Sequence, residues 1–136
     1  MDALNIRLLL DDSTPLSPDD AGGCALIEGR GREARTDYCQ VDLWLSELVV
    51  GLAEFQTALD ECWVDFAEEG SEMRLSREGA VMKVEYRDAS WTLPQDEFVA
   101  AVRGAAEELV KAFAGFRPFA PGSSFSRLEE WLALRN

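Results

Sequence analysis

Trp63 stands between Glu61 and Asp65, and Glu68, Glu69 and Glu72 follow a few residues on. An aromatic ring among carboxylates suits a cationic partner, because the ring face attracts a guanidinium or ammonium group and the carboxylates pair with it. These six residues form the candidate partner-binding set. Paired carboxylates also suit acid–base chemistry or a divalent cation. With 26 Asp and Glu in 136 residues, two could meet in a glycosidase-like or magnesium-dependent arrangement. Asp11-Asp12 and Asp19-Asp20 flank a proline-containing loop, but their spacing matches no EF-hand loop and lacks its terminal Glu. They read as a solvated acidic loop.

Histidine is absent, which removes Ser-His and Cys-His nucleophile pairs, the commonest general base and the usual zinc ligand. Three cysteines, Cys24, Cys39 and Cys62, are one short of a thiolate-only zinc site and have no CxxC spacing. They read as reduced, small apolar residues. Gly29-Arg30-Gly31-Arg32 lacks the order of a phosphate-binding loop, and no helix follows it, so a hairpin turn is the better reading. No cofactor is implied.

Thirteen Lys and Arg against 26 Asp and Glu leave a formal charge of −13. The first 60 residues hold four cations against twelve carboxylates and the remainder nine against 14, so the acidity is spread along the chain. Nucleic acid and anionic membrane surfaces are disfavoured as partners, since both are gripped by basic stripes. A basic protein is favoured, although acidic surface also serves solubility alone. No charged-then-apolar leader opens the sequence and no run approaches the length of a membrane span, so a cytoplasmic location is expected.

Periodicity supplies the elements that must position these groups. Residues 3–10 alternate as a strand, and the stretch to Gly23 is a loop rich in Asp, Pro and Gly. Residues 24–30 and 35–41 form a hairpin. Asp42 is a good N-cap for a helix over about 43–59, with Leu45, Leu48, Val49, Leu52, Phe55 and Leu59 on its apolar face. Gly51 inside that helix marks a close approach of another element. Residues 61–87 form a three-stranded meander in which Cys62, Val64 and Phe66 alternate with Glu61, Trp63 and Asp65. Trp63 then lies on the face opposite the core, unless a later helix covers it. A short strand at 90–93 follows. Pro94, Asp96 and Glu97 open a helix over about 95–114, with Gly115 as its C-cap. Ser126 and Glu129 suggest a capping box for a short C-terminal helix.

Runs of strands followed by segregated helices imply one α+β domain over residues 1–136. Its mainly antiparallel sheet of about six strands, the 61–87 meander among them, is packed by the two longer helices and the short last one.

Leu43-Trp44-Leu45, Trp63-Val64-Asp65-Phe66 and the 94–99 helix opening, in a small acidic chain without histidine, resemble small bacterial proteins of the polymorphic-toxin immunity type. The resemblance spans roughly residues 36–113. It implies a non-catalytic protein that blocks a cognate toxin, often a basic nuclease, through an acidic surface. Two other readings stand beside it: a small enzyme using two carboxylates, with or without a divalent metal, and a homo-oligomeric structural protein, for which a homodimer is the simplest form.

Overall fold

The computed structural model describes residues 2–13, 15–57 and 60–134. Its first sheet begins with β1 (Asn5–Leu10), which pairs antiparallel with β2 (Gly22–Gly29). Strand β2 pairs in turn with β3 (Arg32–Arg35) and with the two-residue β4 (Cys39–Gln40). The β2–β3 turn has positive φ at both central residues, 54° at Arg30 and 77° at Gly31, the twist a two-residue hairpin needs. A Cβ on Gly23 would lie 2.2 Å from the Leu9 carbonyl oxygen, so glycine is required for β2 to run this close to β1. The expected strand over residues 35–41 is divided. Thr36 ends it, its N–H bonding the Ala25 carbonyl while its hydroxyl accepts from the Ala25 N–H at 2.9 Å, and the chain meets β2 again at β4.

Helix α1 (Val41–Gln56) begins one residue before Asp42, which lies in the first turn rather than at the cap. Gln40 occupies the cap without a side-chain bond to the helix amides, and the Val41 N–H is satisfied by the Ala21 carbonyl at 3.0 Å. Leu59 lies outside the described residues. The second sheet is the meander β5 (Glu61–Phe66), β6 (Ser71–Glu78) and β7 (Val81–Tyr86), extended by β8 (Ala89–Leu93). Helix α2 (Gln95–Ala112) follows Pro94 and ends before Gly115, which falls in a 3-10 turn, Ala114–Phe116. The last helix, α3 (Ser124–Ala133), is capped by Ser123, whose hydroxyl accepts from the Ser126 N–H at 3.2 Å. The expected capping box does not form, because Glu129 pairs with Arg117 at 2.7 Å.

The fold is α+β with antiparallel strand pairing, but the strands form two four-stranded sheets where one of about six was expected. Strands β3 and β8 meet at the seam. Side chains bridge it without a backbone ladder: Trp91 Nε1 donates to the Gly29 carbonyl at 3.1 Å and Arg32 to the Ser90 carbonyl at 2.7 Å. Glu97, in the first turn of α2, ties the first sheet down by accepting from the Leu4 N–H at 3.0 Å and pairing with Arg30. One continuous cluster of buried side chains fills the space between sheets and helices, with Trp44 stacked on Phe66 at 4.8 Å.

Gly51 answers to the close approach its position implied. A Cβ there would lie 2.4 Å from Val64 Cγ2, and Val64 is a stiff, buried residue of β5. Gly51→Ala is therefore expected to destabilise by about 1–2 kcal/mol despite its better helix propensity. Urea denaturation of Gly51→Ala, Val64→Ala and the double variant checks it, since the second change should absorb much of the first's clash.

Asp42 is buried beneath α3, accepts from the Ser124 hydroxyl, and leaves Oδ1 without a partner. Burial pushes its carboxyl above the ordinary value, against the bonds from Ser124 and the helix amides, while Glu68 adds to the rise. A raised folded-state value means that this group's contribution is fully present below the unfolded value and is lost as pH rises through the folded one. Asp42→Asn should accordingly raise Tm at neutral pH, and the gain should vanish in acid. Thermal scans of both proteins across that range measure it.

Candidate functional site

Alternation along β5 sends Cys62, Val64 and Phe66 into the core and leaves Glu61, Trp63 and Asp65 on the outer face of the second sheet. No described helix covers Trp63, which is 57% exposed. Register sets its neighbours: Trp63 lies opposite Arg74 of β6, and Arg74 opposite Glu85 of β7. Arg74 sits 5.9 Å from the Trp63 ring centroid and donates to Glu61 at 3.1 Å and to Glu85 at 2.8 Å. Trp63 Nε1 also donates to Glu61, at 2.8 Å. Bonds from Arg74 and then Trp63 hold the Glu61 carboxyl below its ordinary value. The ring is thus braced in place on the surface by an ion-paired triad.

Beyond that triad the face carries uncompensated charge. Asp65 lies directly opposite Glu72, two exposed carboxylates on adjacent strands, and neither has a cationic partner among the described residues. Like charges in this position destabilise a sheet. Glu47 of α1 closes the same end of β5 by accepting from the Ala67 N–H at 3.2 Å. Burial pushes its carboxyl up, and Asp65 and Glu68 push the same way, against the Ala67 bond and Arg127.

The acidic turn after β5 divides in its uses. The Glu69 side chain is 1% exposed and turned inward, pairing with Arg87 and accepting from Ser71, from Tyr86 at 3.2 Å and from the Asp37 N–H at 3.0 Å. Burial raises its carboxyl, but Ser71, Asp37, Arg87 and Tyr86 outweigh burial, and the net position is below the ordinary value. Glu68 accepts from the Gln40 N–H at 3.1 Å. These two residues bind the second sheet to the segment before α1. Of the six sequence candidates, Glu61, Trp63, Asp65 and Glu72 share the open face, Glu68 borders it, and Glu69 belongs to the interior network.

Residues outside the expected set complete the surface. Leu43, Glu47, Val50 and Glu54 recur at spacings of four, three and four along α1 and form its outward stripe. Between that stripe and β5 runs a shallow cleft of about 260 Å³, with Glu47, Glu54 and Asp65 as acidic walls and Val50 and Trp63 as apolar ones. It continues past Arg127 toward Trp131 and the exposed Leu134 of the α3 end. The signal for this stripe lay in the sequence, in two apolar residues, Leu43 and Val50, on the polar side of an otherwise regular helix.

The arrangement supports contact with a cation-bearing surface. Among the described residues no three Cys, Asp or Glu side chains are grouped as a metal-ligand set. Asp11 instead accepts from the Ser13 N–H and the Tyr38 hydroxyl, and Asp20 from Gln40 Nε2. No described helix is long and apolar enough to cross a membrane. The class that fold and site define is an α+β chain with an open, anionic sheet face. No protein-family model, curated protein or solved structure matches the chain.

Proposed function

We propose that this chain is a non-catalytic binding protein of the cytoplasm whose second sheet and adjoining cleft receive a basic partner protein. One observation carries the reading: an exposed, braced tryptophan beside two carboxylates, Asp65 and Glu72, that have no cationic partner among the described residues. A lysine or arginine of a partner placed over Asp65 and Glu72 relieves their repulsion, and Trp63 supplies the apolar anchor such contacts are built around. The finer form of the proposal is an immunity-type inhibitor whose partner is a basic toxin. Support for it comes from the charge of −13 and from the sequence resemblance.

Co-expression with the product of the adjacent gene, followed by co-purification and calorimetry at two ionic strengths, tests the proposal. The expected result is a stoichiometric complex whose affinity falls as salt rises, because screening weakens attraction between opposite charges. A neighbouring product that is neither toxic nor bound would refute the immunity form. Binding that is insensitive to salt and to charge reversal at Asp65 would refute the acidic-face form.

A further inference from the structure

The β1 edge of the first sheet carries a second surface. Strand β1 pairs only with β2 among the described residues, so its outer edge presents unpaired backbone groups. Its sequence, NIRLLL, has no proline, lysine or bulge to discourage pairing. Beside that edge two shallow cavities of about 400 and 550 Å³ are lined by side chains of β1 and of α2, which packs against it. Half-buried Leu8 and Leu10 line the larger, and Gly104, with no atom within 4 Å of where its Cβ would be, lines the smaller. Glu108 and Lys111 line both cavities, and neither has an ion-pair partner among the described residues.

We propose that β1 pairs antiparallel with β1 of a second copy of this chain about a two-fold axis at Leu8. In that register Leu8 faces Leu8, Ile6 faces Leu10, and Arg7 faces Leu9 of the second copy, so core-side residues meet core-side residues and no like charges oppose. An axis at Arg7 would set two guanidinium groups against each other. The same axis brings Glu108 of each α2 toward Lys111 of the other, an ion pair made twice because the interface is isologous. That self-complementary charge pattern selects a second copy over an unrelated basic strand, which would meet Arg7 and Lys111 unfavourably. The two first sheets then become one continuous sheet with the helices on its inner side, and the acidic face around Trp63 stays outside the contact.

Sedimentation equilibrium at physiological ionic strength, where repulsion between two chains of charge −13 is screened, reads the proposal directly. The average mass should rise with concentration toward twice 15.1 kDa. Lys111→Glu should weaken the association roughly tenfold by replacing two attractive pairs with two repulsive ones. Adding Glu108→Lys to it should restore the pairing, and both positions are exposed, so folding is unaffected. Hydrogen exchange of β1 amides should slow as concentration rises. A constant mass of 15.1 kDa, a dimer indifferent to Lys111→Glu, or β1 amides whose exchange ignores concentration would each overturn the proposal.

Discussion

Trp91→Ala is expected to lower folding stability by about 3–5 kcal/mol, a large share of what a domain this size possesses. Trp91 is fully buried in β8, and its ring fills the region where the two sheets meet. Removing it opens a cavity at a place the backbone cannot collapse into, because both flanking strands are held in their own ladders. It also leaves the Gly29 carbonyl without its donor. Trp91→Phe separates the two causes. It keeps most of the apolar volume but loses the hydrogen bond, so it should cost about 1–3 kcal/mol. Urea denaturation measures both, and a drop below about 1 kcal/mol for the alanine variant would mean that the seam is not a structural joint.

Trp63→Ala is expected to weaken partner binding by about 2 kcal/mol or more, roughly 30-fold in Kd, while leaving stability nearly unchanged. The ring is exposed and packs chiefly against the Arg74 guanidinium, so its removal costs the fold about 0.5–1 kcal/mol. Calorimetry with the co-purified partner gives the first quantity and a thermal scan the second. Unchanged affinity would place the contact elsewhere on the acidic surface. Asp65→Lys is the natural companion. It converts the Asp65–Glu72 opposition into an attractive pair, so it should stabilise the sheet slightly while repelling a basic partner. A variant that gains stability and loses binding is a result that simple unfolding cannot imitate.

Legibility differed by level. The meander over 61–87 was readable because Cys62, Val64 and Phe66, then Met82, Val84 and Tyr86, alternate with polar residues, and strand periodicity is a local property. The same alternation placed Trp63 on the outer face. Helix boundaries were less legible. Asp42 has the chemistry of a cap, yet the Ala21 carbonyl satisfies the Val41 N–H and draws the helix start forward by two residues, with Gln40 at the cap. Ser126 and Glu129 match a capping box, yet Ser123 and Arg117 compete for the same groups and win. The acidic turn was the hardest to read. Nothing adjacent to Glu69 in sequence distinguishes it from Glu72, and Asp37 and Arg87 are what turn it inward.

The sequence by itself determined that the chain is α+β with antiparallel pairing, that it is strongly acidic, that it has no histidine for catalysis, and which side of β5 meets the core. Tertiary structure alone decided that the strands divide into two sheets, which carboxylates are spent on the fold, and that α1 and β5 enclose a cleft. The reason is the reach of the interactions. Alternation and helical spacing act within a few residues, whereas the bonds of Trp91 to Gly29, Glu97 to Leu4 and Glu69 to Asp37 join positions 62, 93 and 32 apart in the chain. Such partners are chosen by the packing of the whole molecule.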